Sequence, residues 1–314
     1  MANKHLALVF PGQGSQAVGM FSALAQDFDI VAATFDQASE RLGYDLWALA
    51  QNGPEADLNR TAVTQPALLT AGVAVWRIWQ SRNGPVPSLL AGHSLGEYTA
   101  LVCAGVLPFD QAVSLVEDRG KAMQSAVAEG SGLMAAILGL DAAVVETLCR
   151  AAAQGQVVTT ANYNSPGQVV IAGDHDAVQR AIDLAREQGA KRAIPLSVSV
   201  PSHCALMRDA ATVFAARIEA VDFTDAAIPV IQNVDATART GSADIKAALI
   251  RQLHEPVRWV DSVHGMKAAG ITTIIESGPG KVLTGLIKRI DRDMNALAIN
   301  DPVSLETALQ EADK

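Results

Sequence analysis

The segment that most constrains this chain is Gly92-His93-Ser94-Leu95-Gly96, a GxSxG set between the short buried run 88–91 and a helical pattern that begins at once. A strand that turns into a helix within a few residues crowds the backbone, and the two glycines remove Cβ atoms that would collide there. Such a turn displays the serine hydroxyl and leaves the N–H of Leu95 at a positive helix end. The plainer reading makes Ser94 a helix N-cap, because Glu97 three residues on completes a capping-box pattern. Both readings start a helix at Ser94, and the buried run before it makes this a strand that feeds directly into a helix, the building unit of an α/β sheet.

The rest of the chain suits that frame. Its 314 residues are enough to bury a core without disulfides or metals. Hydrophobic residues make up 49% and charged residues 18%, which excludes a disordered tail protein. Aromatics are only 4%, so the core is expected to be small and aliphatic, as where helices pack on a parallel sheet. A net charge of −9 argues against nucleic acid or anionic lipid as partners. Cys103, Cys149 and Cys204 form an odd set without CxxC or metal-ligand spacing, as expected of reduced thiols. The apolar run 6–10 is too short for a signal sequence and no run reaches membrane-spanning length, so the expected address is the cytoplasm.

Along the chain, 6–10 reads as a buried strand, 20–80 as helix-rich and 88–91 as a second short strand. From Gly132 the texture changes. Strands at 133–140, 157–163, 169–172 and 194–200, with helices at 142–153 and 177–187, give the ferredoxin-like order βαββαβ. Further strands are expected at 228–232 and 272–276. The predicted fold is therefore α/β: an α/β-hydrolase-like core with a short parallel sheet (1–130 and 199–314) and an inserted ferredoxin-like subdomain (131–198).

A nucleophilic serine needs a base. His5 starts the first strand, His93 is expected to turn its side chain elsewhere, and His175, His254 and His264 lie in ordinary contexts. His203 differs, because it follows an alternating strand and Pro201-Ser202 and precedes a helix. Catalytic groups of open α/β sheets gather in such strand-end loops; a surface loop histidine is the alternative. Arg119 shares the helix 110–123 with Ala112, Leu115 and Val116, and its spacing places it on their buried face. A guanidinium there requires acceptors, either a structural carboxylate or that of a substrate. Gln13 lies in a glycine-rich turn after the first strand. Gly12 and Gly14 do not make a GxGxxG, since position 17 is Ala, and Gly280-Lys281 lacks the Walker pattern because Val282 follows and Ile275 precedes. Nucleotide binding finds no support.

Together these segments resemble the malonyl-CoA:acyl carrier protein transacylase family. FPGQGSQ (10–16), AGHSLGE (91–97), the Arg119 helix, NYNSPGQVVIAG (162–173), PSHCALM (201–207), QLHEPVRW (252–259) and ESGPGKVL (276–283) occur in the family's order across nearly the whole chain. The resemblance implies malonyl transfer from malonyl-CoA to a carrier protein's pantetheine thiol through an acyl-Ser94, with His203 as base. It further implies an oxyanion hole from the backbone N–H groups of Gln13 and Leu95, and a backbone carbonyl near Gln252 that orients His203. Arg119 would grip the malonyl carboxylate, with Asn162 and Gln168 at the cleft mouth. It implies no metal or cofactor, a monomer, and acyl carrier protein as partner. Carrier proteins of this kind are acidic, so docking is expected at a basic patch, for which Lys191, Arg192, Lys288 and Arg289 are the candidates. A stand-alone polyketide or malonate decarboxylase acyltransferase, and a serine hydrolase, are the alternatives.

Overall fold

A strand with no polar interruption needs cover on both faces, and the first strand has it. Leu6, Leu8 and Phe10 enter one core with Leu90 and Ile275, while Ala7 and Val9 enter another with Ala91, Ile274 and Trp259. The alternation of side chains across a strand separates the two sets.

The computed structural model describes residues 2–196 and 200–314. Among them run ten strands: β1 (Asn3–Phe10), β2 (Pro87–Gly92), β3 (Gly132–Leu138), β4 (Val158–Ser165), β5 (Gln168–Asp174), β6 (Arg192–Pro195), β7 (Val230–Ile231), β8 (Ala238–Arg239), β9 (Thr273–Ser277) and β10 (Asn295–Ile299). The larger sheet has the order β10-β9-β1-β2-β7-β8, parallel from β10 to β7 and closed by the antiparallel β8. The smaller sheet, β4-β5-β3-β6, is antiparallel throughout. Helices Ala142–Ala153 and His175–Glu187 supply its core residues Val145, Leu148, Val178 and Ile182. The connectivity is the predicted βαββαβ, and the fold is the predicted α/β type.

Two expectations change. The last strand of the small sheet is Arg192–Pro195, not 194–200, and residues 197–199 of that expected strand lie outside the described residues. It is an edge strand in which only Ala193 faces the core, and Pro195, opposite Ala135, is tolerated there because the next bond to β3 comes from the Leu196 N–H, which donates to the Met134 carbonyl at 2.9 Å. The helix-rich stretch 20–80 divides into Ser22–Asp27, Ile30–Leu42, Leu46–Asn52, Glu55–Leu58 and Thr61–Ser81. Gly43 and Gly53 stop two of these helices at positive φ, where a side chain would be strained.

Candidate active site

β2 ends at Gly92 and the helix Leu95–Cys103 begins three residues later, so the turn between them is as tight as the sequence requires. A Cβ on Gly92 would lie 1.8 Å from the carbonyl carbon of Gly96, and one on Gly96 would lie 2.0 Å from the Phe10 oxygen. Ser94 sits at the apex with φ 52° and ψ −106°. For a non-glycine residue this backbone is strained by about 1–3 kcal/mol. Asn233 braces it: its Oδ1 accepts from the Ser94 N–H at 2.7 Å and its Nδ2 donates to the Gly92 carbonyl at 2.7 Å. The serine makes no side-chain cap bond, and Glu97 is fully buried rather than reaching back to the cap. The N-cap reading of Ser94 is therefore not the one the chain adopts.

The Ser94 hydroxyl instead faces His203, with Oγ and Nε2 2.8 Å apart. His203 also has a positive φ of 60°, and its N–H donates to the Leu253 carbonyl at 3.0 Å. Its Nδ1 lies 2.7 Å from the Gln252 carbonyl oxygen. A carbonyl can only accept, so Nδ1 carries the proton and the lone pair of Nε2 points at the serine. Burial, reinforced by the neighbouring Arg119 charge, holds the imidazole down at about 3, so the ring is neutral at physiological pH.

Arg119 occupies the predicted buried stripe and is 1% exposed. Its Nη1 donates to Gln65 Oε1 at 2.8 Å; its Nη2 donates to Gln252 Oε1 at 2.9 Å and to Ser94 Oγ at 3.2 Å. The Tyr98 ring lies 5.3 Å from the guanidinium carbon. Among the described residues it forms no salt bridge, and its Nε has no partner. Burial accordingly lowers its pKa. Buried Glu97 offsets part of this charge without touching it, and a guanidinium whose direct acceptors are all neutral remains costly unless an anion enters beside it.

These groups line one cavity of about 110 Å³, together with Gln13, Leu95 and Asn162 from the sequence-derived set. Neither the Gln13 nor the Leu95 N–H has an acceptor among the described residues. Gln252 lies beneath the cavity rather than in its wall. Gln168 is not in the wall either: it starts β5 and accepts from Arg289 at 2.6 Å. His93 is among the residues that line the cavity, and its ring Nε2 lies 2.8 Å from Asn164 Oδ1 of the small sheet. Gln65 and Asn233 are supports that the motifs do not include, and Glu97 and Asn164, which lie within motifs, serve the site rather than a helix cap or a turn alone. Among the described residues no group of three or more His, Cys, Asp or Glu could hold a metal, and no helix is long and apolar enough to cross a membrane.

Residues 7–300 match the family model described as acyl transferase domain. The chain belongs to the acyl transferase family. This acyltransferase is 56% identical over 303 residues to the malonyl CoA-acyl carrier protein transacylase of Salmonella typhimurium, covering 96% of this chain and 98% of that protein. Among solved structures it resembles an acyl carrier protein S-malonyltransferase from Vibrio cholerae, at a TM-score of 0.95 and 58% identity, covering 96% of this chain and 99% of that one. It also resembles a malonyl-transacylase solved in complex with a type II polyketide acyl carrier protein, at a TM-score of 0.97 and 55% identity, covering 98% and 99% of the two chains.

Proposed function

We propose that this acyltransferase moves a malonyl group from malonyl-CoA to the pantetheine thiol of an acyl carrier protein, through a malonyl-Ser94 intermediate, and so supplies fatty acid synthesis. The observation that carries the reading is Arg119, a buried cation in direct contact with no carboxylate among the described residues, whose Nη2 lies 3.2 Å from the serine oxygen. A malonyl group on Ser94 brings a carboxylate to that cation, held as charge-assisted hydrogen bonds.

Ser94 Oγ attacks the thioester carbonyl while its proton passes to His203 Nε2. The Gln252 carbonyl keeps the Nδ1 proton in place and so steadies the imidazolium that forms. The free N–H groups of Gln13 and Leu95 receive the oxyanion, where loss of one donor typically slows reaction by about 10²–10³. The C–S bond then breaks and CoA leaves as the thiol with the proton from His203. In the second half the carrier's thiol gives its proton to His203, its sulfur attacks the acyl-serine carbonyl, and Ser94 regains the proton. Asn162, a buried residue of the cavity wall, is our candidate for contact with the incoming arm. The steps draw on no metal or cofactor, and every residue they use comes from one chain.

For docking an acidic carrier, Lys191, Arg192, Lys288 and Arg289 are all exposed and form no salt bridge among the described residues. Arg192 registers beside Leu138, Leu138 beside Gln168, and Gln168 bonds Arg289. The cations of the small sheet and those of helix Val282–Ile290 thus share one edge, with Gln168 between them. The polyketide carrier in the 55%-identical complex makes polyketide supply the second reading. Transfer of malonyl to a holo carrier protein, beside hydrolysis of a simple ester, tests the function. Carrier-dependent transfer that weakens several-fold in KM for the carrier when the four cations are reversed is the expected result. Rapid ester turnover without transfer would place the enzyme among hydrolases.

A further inference from the structure

Glu97 takes no part in the steps above, yet it lies at the centre of the buried contacts beneath Ser94. Its side chain is fully buried. Oε2 accepts from Gln252 Nε2 at 3.0 Å and from the Asn233 N–H at 2.8 Å. Gln252 Nε2 also donates to the Ser94 carbonyl at 3.0 Å. With both amide protons committed to these oxygens, Gln252 turns its Oε1 to Arg119. A flipped amide would set the Gln252 NH₂ against the guanidinium, donor facing donor, and its oxygen against a carboxylate. An acceptor at Glu97 therefore decides which way Gln252 points. The second contact works through Asn233, whose side chain braces the strained serine by its own two hydrogen bonds.

We propose that Glu97 is a positioning residue whose buried carboxyl oxygen fixes the Gln252 amide and the Asn233 backbone, and thereby aims Arg119 into the acyl cavity and sets selectivity for acyl groups that end in a carboxylate. This rests on Arg119 gripping the malonyl carboxylate. Burial raises the Glu97 carboxyl to about 7, against the pull of Gln252, Asn233 and Arg119. Its other oxygen, Oε1, has no partner among the described residues and can take up the proton while Oε2 goes on accepting. The oxygen acceptor, rather than the full charge, carries the effect. Glu97→Gln retains an oxygen for Oε2, whereas Glu97→Leu removes it.

The test compares kcat/KM for malonyl-CoA and acetyl-CoA in acyl-serine formation, for the wild type, Glu97→Gln, Glu97→Leu and Arg119→Ala, with thermal unfolding alongside. Glu97→Leu is expected to lower the malonyl-to-acetyl ratio by about tenfold or more, chiefly through the malonyl KM, while Glu97→Gln keeps it within about threefold of wild type. Equal losses for both substrates in Glu97→Leu, with the ratio collapsing only in Arg119→Ala, would overturn the positioning role and leave the malonyl reading intact. An equal collapse in Glu97→Gln and Glu97→Leu would overturn the acceptor mechanism. An unchanged ratio in Arg119→Ala would remove both the malonyl reading and this inference. If Glu97→Leu does not fold, Glu97→Asp, which withdraws the carboxyl by one methylene, takes its place: a lowered ratio supports the role and an unchanged ratio overturns it.

Discussion

A histidine that must accept a proton at neutral pH has to arrive neutral, and burial beside Arg119 keeps His203 so. The same arrangement makes folding sensitive to acid. The folded-state value, about 3, lies below that of the unfolded chain, so the stability it confers is present above the ordinary imidazole range and is lost as pH falls towards 3. Between pH 7.5 and 5 this amounts to about 2 kcal/mol for the one site. Urea unfolding of the wild type and His203→Gln at both values is expected to show the wild type losing about that much more. Equal losses would mean that His203 titrates normally. His93, also held low by burial, acts with the same sign in both proteins and cancels from the comparison. At this scale Arg119 was legible, because helical spacing alone put it on a buried face. Its acceptors were not: Gln65 and Gln252 stand 54 and 133 residues away in sequence, and no local pattern joins them.

Among the elements, the strand-turn-helix around Ser94 determines the rest. Gly92 touches Gly96 so closely that any side chain forces the helix off the strand end. Gly92→Ala is therefore expected to lower stability by about 2 kcal/mol or more and to abolish acylation, as overpacking at a backbone-to-backbone contact does. A folded, fully active variant on thermal unfolding and acyl-transfer assays would show the contact to be dispensable. This element could be read from the sequence because glycine, serine and apolar positions each have a local physical meaning. Strands β8 and β10 could not. Two residues of β8 carry no periodicity, and β10 (Asn295–Ile299) has a burial pattern set by its neighbour β9 and the helix Pro302–Ala312 rather than by strict alternation. The edge strand β6 begins two residues before the pattern suggests, since burial of a single alanine leaves the register weakly marked.

For the molecule as a whole, the site forms where the two sheets meet. The β1 end gives Gln13, the elbow gives Ser94 and Leu95, and helix Phe109–Ser125 gives Arg119. The loop after the small sheet gives His203, and the small sheet itself gives Asn162 and the Asn164 partner of His93. Only the long-range fold brings residue 13 to residue 203, which explains why the principal groups were legible in motifs while their supports, ordinary Gln and Asn residues, were not. The most direct measurement is the intact mass of the protein after brief exposure to malonyl-CoA, followed by peptide mapping and addition of a holo carrier protein, with Ser94→Ala in parallel. The expected result is one malonyl adduct on Ser94, absent from the variant and discharged to the carrier's thiol. No adduct in the wild type, or the same adduct in Ser94→Ala, would contradict the acyl-serine mechanism.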